Sequence, residues 1–155
     1  MSRYAEHTSV SITSTVTEID RLLDRYGADG FMYGSRGAEA QIMFQKHNKI
    51  VRFRVGMPDK NDERFWKTET GRDRKAEAAF REYEQEKRRR WRALLLVIKA
   101  KLEAVETEIT TFEEEFLAHF VMPDDKTLSE HIIPHLDEVY ASGDTAKLIP
   151  YFGNG

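Results

Sequence analysis

Between Lys75 and Thr107 apolar side chains fall at Phe80, Tyr83, Trp91, Leu94, Ile98, Leu102 and Val105, with Ile109 just beyond, and neither Gly nor Pro interrupts them. Steps of three, four and eight predict one long amphipathic helix, roughly 50 Å from end to end at 1.5 Å per residue, with the rest of the chain arranged around it. In its middle Leu94, Leu95, Leu96, Val97 and Ile98 are all apolar. Five in succession cover every side of a helix, so this turn is expected to be enclosed by two layers.

A period of two marks Ala40 to Val55. With His47 and Asn48 as a two-residue loop, Ala40 falls opposite Val55, Ile42 opposite Phe53, Phe44 opposite Val51 and Gln45 opposite Ile50. The first three pairs share an apolar face for the long helix. Gln41, Met43, Gln45, Arg52 and Arg54 form the reverse face, polar and positively charged, for solvent or a ligand. Phe31 to Tyr33, between Gly30 and Gly34, reads as a further short strand.

The remaining segments are shorter. Residues 1–13 read as an extended arm, after which Thr15 and Glu18 fit a capping box for a helix through Val16, Ile19, Leu22, Leu23 and Tyr26, with Gly27 at its C-terminal end. Residues 56–74 read as a long loop pinned by Phe65 and Trp66, with Asp59, Asn61, Asp62 and Glu63 as turn formers. Thr111 with Glu114 opens a helix carrying Phe112, Phe116 and Phe120. Thr127 with Glu130 opens another through Leu128, Ile132, Leu136, Val139 and Tyr140, kinked at Pro134 and closed by Gly143. Residues 144–155 read as a tail whose Leu148, Ile149, Tyr151 and Phe152 are apolar enough to dock. Together these elements predict an α+β fold in a single domain, 1–155. Its small antiparallel sheet of about three strands packs on one long central helix, with the C-terminal helices on the other side.

Composition narrows the chemistry. The 155 residues include no cysteine, which excludes disulfides, thiolate nucleophiles and Cys-based metal sites and points to a reducing compartment, the cytoplasm. No apolar run approaches the ~20 residues of a membrane span, and the start lacks a secretory pattern, so no membrane partner is expected. A net charge of −3 hides a division. Residues 1–101 carry 22 Lys/Arg against 15 Asp/Glu, whereas residues 102–140 carry one Lys against 11 Asp/Glu.

Arg81, Arg88, Arg92 and Lys99 follow at steps of seven, four and seven and share one stripe of the long helix, thickened by Lys87, Arg89 and Arg90. With Lys46, Lys49, Arg52 and Arg54 of the hairpin, and Trp66 and Trp91 as stacking groups, they suit the phosphate backbone of a nucleic acid, bound weakly and without sequence preference. The competing reading is a solvated basic face, or one paired to the acidic C-terminal helices. Glu103 to Glu115 with Asp124 and Asp125 suit a basic protein partner, or simply charge at helix starts. Another protein, or a second copy of the chain, is therefore the alternative partner.

His131 and His135, four apart, have metal-ligand spacing, with His119, Asp137 or Glu138 as further donors, but Pro134 between them spoils the geometry and no metal site is expected. The sequence offers no nucleophile and base as a pair, no phosphate-binding glycine motif and no GxSxG. No enzyme activity and no cofactor are expected.

The stretches MSRYAE, RYGADGFMYG, IVRFRVGMPDKNDERF, RWRALLLVIKAKLEAVE and ITTFEEEFLAH together resemble an uncharacterised family of small proteins encoded by bacteriophages and prophages. The resemblance covers most of the chain. It implies a phage-associated, cytoplasmic, accessory role and brings no catalytic residues with it.

Overall fold

The structure, a computed structural model, describes residues 2–149, with side chains from Ile12 onward. Five α-helices and one sheet follow in the order α1 (Ser2–Arg25), β1 (Gly30–Arg36), β2 (Glu39–Lys46), β3 (Lys49–Gly56), α2 (Glu63–Trp66), α3 (Ala76–Glu106), α4 (Phe112–Phe116) and α5 (Leu128–Ser142). The tail residues Tyr151 and Phe152 lie outside the described residues.

The hairpin has the register its alternation predicts: Ala40↔Val55, Ile42↔Phe53, Phe44↔Val51 and Gln45↔Ile50. His47 and Asn48 take φ of 52° and 60°, the left-handed pair that a two-residue turn between twisted strands requires. β1 adds to β2 antiparallel, with Phe31 opposite Phe44 and Tyr33 opposite Ile42, giving the order β1-β2-β3. Phe31 and Tyr33 thus extend the apolar face. β1 is longer than the three residues expected, because backbone pairing carries it on through Gly34 and Ser35 to Arg36.

Helix α3 spans 31 residues, about 46 Å. It lays Trp91, Leu94, Leu95, Ile98 and Leu102 into one continuous core with Val16, Ile19, Leu22 and Leu23 of α1 and the inner face of β2 and β3. Phe112, Phe116 and Phe120 are all buried in the same core, with the Phe116 ring edge-on to Phe44 at 5.6 Å and to Phe53 at 6.3 Å. Such edge contacts add to the area buried and fix how α4 sits on the sheet.

Further details depart from the sequence reading. The N-terminal arm is helical from Ser2, so Thr15 and Glu18 lie in mid-helix rather than at a cap. Thr15 is buried, and the apolar spacing runs back at least to Ile12, which packs against the core. Tertiary burial overrides the poor helix propensity of the Ser/Thr-rich stretch. The long loop contains α2, capped by Asp62 and anchored by buried Phe65 against Tyr83, while Trp66 stays exposed with its Nε1 donating to the Lys60 carbonyl at 3.1 Å. The middle turn of α3 is covered on one side only. Leu94, Leu95 and Ile98 are buried, but Leu96 is 57% and Val97 44% exposed.

Helix ends follow local chemistry. At the end of α1 Gly27 has φ of 84°, and the amides of Gly27 and Ala28 donate to the carbonyls of Asp24 and Leu23. The same arrangement closes α3, with Glu108 and Ile109 donating to Val105 and Ala104, but Glu108 holds the left-handed position at φ 62°. Both expected capping boxes, Thr111/Glu114 and Thr127/Glu130, are formed. Helix α5 continues through Pro134.

Candidate functional site

The side chains that suit a nucleic acid are not gathered on one open surface. On the hairpin, the Lys46 ammonium donates to the Tyr26 carbonyl and lies over the Phe112 ring. Lys49 sits 3.7 Å from Glu113. Arg52, expected on the solvent face, is only 4% exposed: Nη1 reaches Asp125 Oδ1 at 3.1 Å and Nη2 donates to the Asp125 carbonyl at 2.6 Å. Arg54 binds Glu130 at 2.6 Å and Glu39 at 3.5 Å. The cause is the chain after α4. Val121 N donates to the Ile50 carbonyl and Phe120 bridges to Val51, which brings the acidic turn and the start of α5 alongside β3. Acidic residues of the C-terminal third thereby neutralise three of the four hairpin cations.

On α3, Arg92 pairs with Glu18 of α1 at 2.7 Å. Lys87 pairs with Glu84 at 3.1 Å, and Glu86 takes both Arg89 and Arg90. Arg81 and Lys99 are exposed and Arg88 is half-buried; Arg88 and Lys99 have no carboxylate within ion-pair distance among the described residues. Trp91, expected as a stacking group, is buried and meets Tyr33 edge-on at 6.3 Å, so it belongs to the core. Trp66 is exposed on α2, in the loop that packs on α3. A shallow cleft of about 720 Å³ beside that loop is lined by Arg64, Lys67, Arg74 and Arg89, but also by Glu63, Glu82 and Glu86, and so presents no single sign of charge.

The histidines have local roles. His131 Nε2 is 2.7 Å from Asp124, and this hydrogen bond, more than the Lys126 amide, holds the Asp124 carboxyl below its usual range. No group of three or more His, Asp or Glu that could hold a metal occurs among the described residues. His119 stacks on Phe53 at 4.1 Å, and burial, with the Lys101 charge second, pushes its imidazole below the ordinary value. Lys101 itself is held by Glu115, through the carboxylate at 3.3 Å and the carbonyl at 3.1 Å, which ties α3 to α4.

The feature that spacing alone misses is the exposure of one side of α5. None of its residues is buried, although Ile133, Leu136 and Tyr140, at steps of three and four, form one apolar stripe. Ile133 is 62% and Tyr140 85% exposed. The opposite side, with Leu128, Ile132, His135 and Val139, is half-buried, and the helix packs on Leu117–His119 and on the turn Thr145–Leu148, where Lys147 reaches Glu138 at 3.6 Å. Asp137, about 40° round the helix from Ile133, borders the stripe on one side, whereas Glu138 lies about 140° from Ile133 and is turned away from it.

No helix among the described residues is long and apolar enough to cross a membrane. Compared with models of known protein families, with curated proteins and with solved structures, the chain matches none, and the bacteriophage resemblance rests on the quoted motifs alone.

Proposed function

We propose that this is a non-enzymatic accessory protein that docks on another protein through the apolar stripe of α5. What supports the reading is a helix with no buried residue of its own that nevertheless carries Ile133, Leu136 and Tyr140 on one side. A helix usually takes its stability from burying its apolar face, so one that leaves that face open suits a helix-in-groove contact. Asp137 beside the stripe calls for a groove with a basic group on its rim, which steers the encounter and excludes acidic competitors. The resemblance to phage-encoded proteins makes a phage or host protein the partner of choice.

The nucleic-acid alternative draws on a smaller set of groups than its motifs suggest, since Lys49, Arg52, Arg54 and Arg92 already have carboxylate partners. It retains Arg88 and Lys99.

The decisive experiment is affinity capture from host and phage-infected extracts, followed by reconstitution with the purified candidate and titration calorimetry. We expect one-to-one binding that weakens at least tenfold in Ile133→Asp/Tyr140→Asp, a variant whose changes fall on exposed positions and leave the fold intact. Equal binding by that variant, or no reconstituted complex, would sink the proposal.

A further inference from the structure

The two edges of the sheet differ. Along β3 the chain after α4 covers the edge, with Val121 N donating to the Ile50 carbonyl and Phe120 bridging to Val51. Along β1 the edge is open. Gly37 and Ala38 form a two-residue loop, so Arg36 and Glu39 exchange main-chain hydrogen bonds, and by alternation Met32 and Gly34 also bond to β2. Phe31, Tyr33 and Ser35 therefore turn their N–H and C=O groups outward, where no hydrogen bond reaches them among the described residues. Sheets of monomeric proteins blunt such an edge with a proline, a bulge or a charge. From Gly30 to Ser35 this strand has no proline and no charge, and its register against β2 is unbroken over all seven residues. Tyr33, on the helix side, is 52% exposed and Met32, on the other side, 63%, so neither face of β1 is closed off by the helices.

From this we infer that two copies of the chain associate edge to edge through β1, antiparallel, with a two-fold axis at Tyr33, and that their three-stranded sheets join into one. A row of free main-chain donors and acceptors takes only another extended strand, and in this register β1 is complementary to itself. Tyr33 meets Tyr33 of the other copy and Phe31 meets Ser35, each as a hydrogen-bonded pair. Large side chains fall opposite small ones, Phe31 opposite Ser35 on the inner face and Met32 opposite Gly34 on the outer face. The charges at the strand's ends agree with the same register. Exposed Arg36 of each copy comes beside Gly30 and exposed Asp29 of the other, and neither Arg36 nor Asp29 has an ion-pair partner in its own chain among the described residues. Their neighbours on β2 are already engaged, Glu39 with Arg54 and Lys46 with the Tyr26 carbonyl. The two copies of Arg36 stand about 20 Å apart, six residues along an extended strand, and do not repel at that range. One strand from each copy is a small contact beside the roughly 1,200 Å² of a stable interface, so the dimer forms reversibly.

Sedimentation velocity on the full chain across ~5–500 μM tests the association. Ser35→Pro removes an N–H that β2 does not use, and Met32→Lys puts on an exposed site the charge with which natural edges turn strands away. Each should shift the monomer–dimer equilibrium at least tenfold toward monomer with an unchanged circular-dichroism spectrum, and Met32→Lys decides alone should the proline cost structure. The chain has no cysteine, so a single one reports the register. Tyr33→Cys should form an intermolecular disulfide on mild oxidation, its Cα atoms facing each other at about 5.5 Å, whereas the two copies of Ser35→Cys lie at least about 13 Å apart and should not. A wild type that stays monomeric throughout overturns the inference, whether another segment or a foreign strand takes the edge. So does a dimer indifferent to both Ser35→Pro and Met32→Lys, which places the contact elsewhere. A Ser35→Cys cross-link as efficient as that of Tyr33→Cys rules out the axis at Tyr33.

Discussion

The guanidinium of Arg52 holds Asp125 by both carboxylate and main-chain carbonyl, at 3.1 and 2.6 Å, across 73 residues of sequence. Arg52 is buried while the Asp125 side chain is exposed, so the arginine carries the desolvation and the aspartate orients the turn. Its Nε has no partner, which leaves the main-chain contact as the stronger constraint. Arg52→Ala should therefore cost about 2–3 kcal/mol in urea unfolding. Asp125→Asn should cost under about 1 kcal/mol, because the carbonyl contact survives and Asn tolerates the left-handed φ of 67° found there. Equal losses in the two variants would contradict this division.

Glu108 occupies the left-handed position that closes α3, a place where a Cβ is unfavourable. Glu108→Gly should raise stability by about 1 kcal/mol, and Glu108→Val should lower it by at least as much. Thermal unfolding followed by circular dichroism reads both changes; a melting temperature lowered by the glycine would be the wrong sign.

His119 has its imidazole pushed below the ordinary value of 6.5 by burial, with Lys101 second. The unfolded chain therefore takes up the proton more readily than the folded one, and stability rises with pH through this region. The contribution is fully present above pH 6.5 and is lost as pH falls from there through the lowered folded value. His119→Gln should flatten the stability profile between about pH 7 and pH 5 relative to wild type. Parallel profiles for the two proteins would show that another group dominates.

Neutralised hairpin cations limit what an oligonucleotide can find. With Lys46, Arg88 and Lys99 as hairpin and stripe cations that have no carboxylate in ion-pair distance among the described residues, the part of a duplex salt slope that this surface contributes should be no steeper than about −3, at some −0.9 per phosphate. Glu113→Gln/Glu130→Gln, which releases Lys49 and leaves Arg54 only its longer contact with Glu39, should steepen it. Fluorescence anisotropy with labelled duplexes decides: a wild-type slope near −6 would restore the hairpin to the binding surface.

Local pattern carried the fold where one period sufficed. Ile42 and Phe53 could be paired from alternation and a two-residue loop alone, and α3 was bounded to within a residue because Lys75 and Thr107 end its apolar stripe. Arg52 was misplaced for a different reason. Its burial depends on a turn 73 residues away that no local period announces. Leu96 and Val97 were expected inside because an apolar run records the burial a helix seeks, whereas the folded chain supplies one layer there and leaves the other side to a partner or to water. For α5 the spacing of Ile132, Leu136 and Val139 marked a helix correctly, but an amphipathic pattern cannot distinguish packing within the chain from docking outside it.

That α5 leaves Ile133, Leu136 and Tyr140 exposed has an evolutionary consequence. Substitutions in a core are filtered twice, for folding and for function, and most are removed by the first filter. Changes at Ile133, Leu136 or Tyr140 touch no packed neighbour whose loss would unfold the protein, so they escape that filter almost entirely. The helix can drift, or follow a changing opponent, at a rate the core cannot match. Among divergent copies of this chain the fastest-changing positions should lie on α5, while Ile19, Ile42, Ile98 and Phe116, all fully enclosed, stay nearly fixed.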